Sequence, residues 1–279
     1  MEKCECNKYI INGHADLTAN FNFEPENMDL VIYEVIRVIN GVYLFLEDHL
    51  SRLFNSARLA GIKLGVDENQ LKQHLYSLIY ENNCNTGNVK IIFNFSGINK
   101  NWMIYFIPHY YPSEYEYNNG VNMVSFKCVR DNPNAKIWHG QIKDAVDKIL
   151  QDRTIYEVAL IDEDAFVSEG SRSNLFFIID EKIITAPFEK VLPGITRKYV
   201  LQCCVKLKFD ISEECLHYKL LSKVDSAFIA GTSSKVLPIK KIDHFNIPLP
   251  NKMTLNIMKE YDDMINDYIL KNKFLNEPH

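Results

Sequence analysis

Polar and apolar positions change period several times along this chain, and each change marks an element. Residues 31–38 read V-I-Y-E-V-I-R-V, a run rich in β-branched side chains that predicts a strand. Asn40-Gly41 follows as a hairpin signal, with residues 42–46 as the returning strand. The period then lengthens. Leu50, Leu53, Phe54 and Ala57 fall at i, i+3, i+4 and i+7, which predicts a helix from an Asp48 N-cap to about Ile62. In a second helix, Asp67 and Gln70 stand at capping-box spacing and Leu71, Leu75, Leu78 and Ile79 form the buried face. Residues 89–95 and 102–107 read as two more strands joined by a Gly-containing turn. Strands with helices on one side make an α+β pattern.

The stretch 108–120, rich in Tyr, Glu and Asn and holding Pro108 and Pro112, breaks the periodicity. It divides the chain into an N-terminal domain, 1–112, a linker, 113–120, and a C-terminal domain, 121–279. The second half predicts a strand at 121–128, a helix at 142–151, and short strands at 157–161, 174–179 and 183–186, with 162–164 as a turn. A helix begins near Gly194. A strand at 227–230 leads into Gly231-Thr232-Ser233-Ser234, and a last helix covers 254–270.

Composition narrows the function classes. The 279 residues are 47% hydrophobic and 24% charged, as in an ordinary globular protein. A net charge of −5 argues against a nucleic-acid binder with a broad basic surface. No apolar run reaches membrane-spanning length, and the N-terminus carries no secretory apolar region, so neither a membrane nor export is expected. The seven cysteines are scattered and lack C-x-x-C spacing, which suggests reduced thiols in the cytoplasm. Cys4-x-Cys6 with His14 is too weak a pattern to predict a metal site, and none is expected.

Two neighbouring segments carry the candidate chemistry. Ser168-Glu169-Gly170-Ser171-Arg172-Ser173-Asn174 sets a carboxylate beside a tight Gly- and Ser-rich turn. Leu192-Pro193-Gly194-Ile195-Thr196-Arg197 places Gly-Ile-Thr at a helix start, where unbonded N–H groups and the positive dipole end favour phosphate. A carboxylate next to a phosphate cradle suits a ligand with a basic ring nitrogen and a phosphate, such as pyridoxal 5′-phosphate. The P-loop spacing, G-x-G-x-x-G, H-E-x-x-H and G-x-S-x-G are all absent.

Five segments in order resemble the class IV (fold type IV) family of pyridoxal-phosphate enzymes, which holds branched-chain aminotransferases, D-amino-acid aminotransferases and aminodeoxychorismate lyase. They are Tyr33-Glu34-Val35-Ile36-Arg37-Val38, His49-Leu50-Ser51-Arg52-Leu53, Glu169-Gly170-Ser171-x-Ser173-Asn174, the L-P-G-I-T-R segment, and Gly231-Thr232 with Val236 and Pro238. The resemblance covers most of the chain. It implies a two-domain, D-amino-acid aminotransferase-like α+β fold with a small α/β N-terminal domain and a larger β-rich C-terminal domain.

The resemblance also implies roles. The family's Schiff-base lysine precedes the motif glutamate by a little over thirty residues. Lys136 lies 33 residues before Glu169, whereas Lys143 lies only 26 before it. Glu169 would hold the pyridine nitrogen protonated. Arg52, Ile195, Thr196 and Thr232 would bind the phosphate, although Arg52 would equally serve as an i,i+4 partner of Asp48. Tyr33 would stand beside the cofactor or in the strand core. Val35 and Arg37 share its face and would look into the substrate pocket, with Arg37 receiving a substrate carboxylate or pairing with an acid. His109 and Tyr111 are further pocket candidates, and His49 reads as structural. The run Ile137-Trp138-His139-Gly140-Gln141 departs from the family's usual small or polar residues after the lysine. The expected activity is an aminotransferase acting on an amino acid and a 2-oxo acid, as a homodimer. The alternatives are a lyase that releases pyruvate and a non-catalytic relative.

Overall fold

The computed structural model describes residues 3–24, 29–96 and 99–273. The Gly-containing turn expected between two strands of the first half lies outside them. The chain forms two compact units: Met1–Tyr110 with Ala135–Gly140 and Ile265–His279, and Tyr111–Asn134 with Gln141–Met264.

The first unit contains β1 (Glu5–Ile11), β2 (His14–Leu17), β3 (Leu30–Ile39), β4 (Val42–Tyr43), α1 (Leu46–Leu59), α2 (Glu68–Asn82), β5 (Gly87–Ser96) and β6 (Asn99–Ile107). Its six strands form an antiparallel sheet in the order β2-β1-β6-β5-β3-β4. Strand alternation separates two faces. Ile32, Ile36 and Val38 join Val89, Ile91, Phe93, Ile104 and Phe106 beneath Leu46, Leu50, Leu53 and Ala57 of α1 and Leu71, Leu75 and Leu78 of α2. The opposite face packs Val31, Ile92, Met103 and Tyr105 with Tyr9 and Phe23, and Tyr33 and Trp138 lie against them.

Asn40 and Gly41 both take positive φ, +52° and +76°, as the two-residue hairpin turn requires. The returning strand is shorter than expected and stops at Tyr43. Helix α1 then begins at Leu46, earlier than the expected Asp48 cap, because Phe45 turns the chain in the left-handed region. Asp48 lies instead in the first turn, where its charge meets the positive end of the helix. The Leu46 N–H donates to the Tyr268 hydroxyl at 3.1 Å, which supplies the cap. The α2 box forms as expected, with Gln70 N–H donating to Asp67 and Asp67 N–H to Gln70.

Residues 135–140 belong to the first unit because they run beside β3. Tyr33 N–H donates to the Lys136 carbonyl at 3.2 Å and Trp138 N–H to the Val31 carbonyl at 2.9 Å.

The second unit contains α3 (Glu114–Asn119), β7 (Val121–Lys127), α4 (Gly140–Ile149) from its second residue on, β8 (Glu157–Ile161), β9 (Phe166–Gly170), β10 (Asn174–Ile179), β11 (Lys182–Thr185), α5 (Ile195–Lys206), β12 (Asp210–Glu213), β13 (Leu216–His217), β14 (Ser226–Gly231), β15 (Lys235–Ile242) and β16 (Phe245–Asn246). A final helix, α6 (Lys252–Asn272), contributes residues to both units. The sheet order is β12-β11-β10-β14-β15-β7-β8-β9-β13, with β16 on β15. Pairs β11–β12, β15–β7 and β7–β8 are parallel and the others antiparallel. The stretch read as a linker holds α3, closed by a Ser113–Glu116 capping box. No helix among the described residues is long and apolar enough to cross a membrane.

Candidate active site

In the first unit, β3 alternation buries Glu34 on the helix side and leaves Tyr33, Val35 and Arg37 half-buried on the other side. Arg52 reaches across to Glu34 on β3. Its Nε and one terminal nitrogen donate to the two Glu34 carboxylate oxygens at 2.9 and 2.6 Å, a two-point clamp that fixes the guanidinium plane. His49 is buried beside the same carboxylate, its Nδ1 3.1 Å from Oε1 but off the hydrogen-bond line. Burial pushes the Glu34 carboxyl up, but Arg52 and His49 outweigh it and hold the group well below the usual carboxylate range. Burial also lowers the His49 pKa, more than Glu34 raises it, so the ring is neutral near pH 7.

One helical turn beyond Arg52, the Ser56 hydroxyl donates to the Arg52 carbonyl and accepts the Lys136 N–H at 3.0 Å. Helix α1 thereby sets the backbone of Lys136. The Lys136 amine lies 4.7 Å from the centre of the Tyr33 ring.

Sequence reasoning passed over Lys90. It sits on β5 opposite Val35 and is buried, with its amine 4.6 Å from the Trp138 ring centre and 5.1 Å from that of Tyr33. The available signal was its place among Asn88 and Asn94 at alternate positions of an otherwise apolar strand. His109 lies past β6, its Nδ1 3.2 Å from the Ile107 carbonyl. Tyr111 falls in the other unit.

In the second unit three segments converge. Glu169 is 3% exposed and sits near the end of β9, on a strand rather than in the expected turn. One carboxylate oxygen accepts the Leu192 N–H at 3.0 Å, and the other lies 3.3 Å from Arg130 Nε. The Asn174 amide donates to the Leu192 carbonyl at 3.0 Å, tying the glutamate segment to the segment before α5. The loop 171–173 is gathered on Glu157, which is buried and accepts the hydroxyls of Ser171 and Ser173 and the Arg172 N–H. Arg130 and Glu157 were not identified from sequence; Glu157 opens a strand that is otherwise wholly apolar.

Helix α5 starts with Gly194 as its N-cap and no side-chain cap, so the first-turn N–H groups of Ile195 and Thr196 have no capping side chain. A Cβ on Gly194 would meet Asn174 Oδ1 at 2.0 Å, so the approach requires glycine. Arg197 turns the other way and anchors the helix to the Ala186 carbonyl and Glu213. Thr232 lies half-buried in the β14–β15 turn. Gly231, just before it, faces the 171–173 loop: a Cβ there would stand 3.5 Å from Ser173 Cβ.

A buried, oriented carboxylate beside an uncapped helix start matches a ligand with a cationic ring and a phosphate. No group of three or more acids, histidines or cysteines that could hold a metal occurs among the described residues. The comparisons with known proteins agree in kind. Residues 31–242 match the family model for class IV amino-transferases, and the chain belongs to that family. It is an aminotransferase, within a class of pyridoxal-phosphate-dependent transaminases. It is 29% identical to the D-alanine aminotransferase of Bacillus licheniformis, over 84% of this chain and 87% of that one. A branched-chain amino acid aminotransferase from T.th., solved with pyridoxamine 5′-phosphate, shares the fold. Its TM-score is 0.84 at 19% identity, over 95% of this chain and 96% of that one. A putative 4-amino-4-deoxychorismate lyase from Legionella pneumophila also shares it, with a TM-score of 0.74 at 20% identity, over 85% and 91%.

Proposed function

We propose that this transaminase holds pyridoxal 5′-phosphate through Lys136 and Glu169 and moves an amino group from an amino acid to a 2-oxo acid. One observation carries the reading: Glu169 accepts the Leu192 N–H three residues before the uncapped start of α5. A buried carboxylate and an uncapped helix start, which would suit a phosphate, are thus joined by a backbone hydrogen bond. When bound, the cofactor supplies an electron sink for the substrate's α-carbon. Glu169 keeps the ring nitrogen protonated. Ile195 and Thr196 N–H groups, Thr232 and Arg52 bind the phosphate, and Tyr33 stands beside the ring. Lys136 would hold the aldehyde end of the cofactor, and its amine would move a proton at the substrate's α-carbon. Val35, Arg37, His109 and Tyr111 serve the substrate side. All seven cysteines are free thiols, which supports a reducing, cytoplasmic setting. We also propose a homodimer, to be tested by light scattering.

Purified protein should absorb in the near-ultraviolet or visible, and a panel of L- and D-amino acids should shift the band and name the donor. Borohydride should fix a pyridoxyl group on Lys136. A borohydride adduct that persists in Lys136→Ala protein would overturn the lysine assignment.

A further inference from the structure

Four side chains of the first unit form a group that the proposed chemistry uses only in part. Lys136 and Trp138 flank Ile137, which bridges to Ile32 of β3, and both reach the Tyr33 ring. Tyr33 comes from β3 and Lys90 from β5. The Tyr33 and Trp138 rings meet edge to face, with centres 6.0 Å apart at 73°. The Lys90 amine lies within 5.1 Å of both ring centres, and the Lys136 amine lies 4.7 Å from that of Tyr33. One phenol ring therefore carries an amine from each lysine.

Aromatic rings attract cations, most strongly where water is excluded. Lys90 has two such rings and is 4% exposed, whereas Lys136 is half-buried over one. Two ammonium groups on a single half-buried ring repel, and the less stabilised one gives up its proton more readily. A neighbouring cation is one of the ways in which a lysine amine becomes a nucleophile.

We propose that Lys90 is a positioning residue: a cation held by Tyr33 and Trp138 that lowers the proton affinity of the Lys136 amine and keeps it nucleophilic near neutral pH. The proposal rests on the reading of Lys136 as the covalent lysine. Among the described residues of this unit, the titratable groups around the pair include Tyr105, opposite Lys90 on β6. From α1 and β3 come Arg52 and Glu34, which pair with each other, and His49, which burial holds neutral. Arg37 shares the Tyr33 face two residues past Val35, and His139 follows on the lysine's own segment. Lys90 approaches from β5, between the uncharged Asn88 and Asn94 on its face.

The test is competitive acetylation of the full-length protein, freed of cofactor, read at Lys136 by peptide mass spectrometry from neutral to alkaline pH. Wild-type Lys136 should titrate below the ordinary lysine value of about 10.4. Lys90→Met should raise its proton affinity about tenfold, or one pH unit, and Lys90→Arg should leave it in place. Trp138→Leu removes one of the two rings and should give an intermediate shift, a second reading should the methionine variant fold poorly. An ordinary Lys136 in the wild type, no shift in Lys90→Met, or equal shifts in the Met and Arg variants would overturn the proposal. Failure of the cofactor reading looks different. No pyridoxyl group would appear on Lys136 after borohydride, while a shift in acetylation would still support coupling of the two amines.

Discussion

Glu34 shows how much a single residue can determine here. Its side chain is wholly buried, and its carboxylate is held by the Arg52 guanidinium with His49 alongside. Removing one partner of such a pair leaves a charge without compensation in a dry place, which typically costs about 3–5 kcal/mol. Glu34→Gln should therefore lower unfolding stability by about 3 kcal/mol or more near pH 7, measured in urea. The pH dependence has a definite sign. The folded carboxyl titrates below its ordinary value of 4.5, so its stabilisation is complete above that pH and fades as pH falls below it. His49 acts in the same direction, because a ring buried neutral must take up a proton in acid. The gap between wild type and Glu34→Gln should narrow in acid, and a gap that stays constant from pH 7 to below 4.5 would refute the assignment. In the sequence Glu34 was one letter of a strand motif. Its charge could be read there, but its partner could not, since Arg52 lies on the next helix.

At the scale of elements, the two helix starts of the first unit explain which features sequence reveals. The α2 cap is local: Asp67 and Gln70 are three residues apart and bond each other. Asp67→Ala should cost about 1 kcal/mol in a denaturant melt. The α1 cap comes from Tyr268, 222 positions away in α6, so no local pattern could have disclosed it. Tyr268 also donates to Glu47 at 2.9 Å, and Tyr268→Phe should cost about 1 kcal/mol while sparing the spectral shift with substrate. Strand β9 was missed for a related reason. Its five residues end in Glu169-Gly170, which reads as a turn, and its strand character comes from pairing with β8 and β13. By contrast the start of α5 was legible, because Pro-Gly before Ile-Thr is a local signal. Gly194→Ala tests how tightly that start is built. The added Cβ would press on the Asn174 amide, which is buried and bonded to the Leu192 carbonyl. A cost of about 1–3 kcal/mol is expected, with weaker cofactor retention measured by dialysis.

The whole molecule groups its motifs in a way their order along the chain does not show. The glutamate turn, the L-P-G-I-T-R segment and the Gly-Thr loop share the second unit, while Lys136 is drawn to the first by pairing with β3. Motif order was readable because each motif is short. The grouping was not, because it depends on strand pairing over a hundred residues. The anchoring residues Arg130 and Glu157 escaped notice because their side-chain partners lie on other strands and loops, outside any local motif. This organisation makes a ligand-linked prediction. A ligand that binds only the folded chain adds RT ln(1 + [L]/Kd), or about 2.7 kcal/mol at a hundredfold excess over Kd. For a protein of roughly this size that corresponds to a rise in Tm of about 5–10 °C. Pyridoxal phosphate should produce such a rise, and phosphate-free pyridoxal a much smaller one, if the α5 start and Thr232 hold the phosphate as proposed. Inorganic phosphate alone should give a small rise that Gly194→Ala diminishes. Equal rises with pyridoxal and its phosphate in differential scanning calorimetry would mean that the helix start takes no part, and the phosphate cradle would have to be sought elsewhere in the fold.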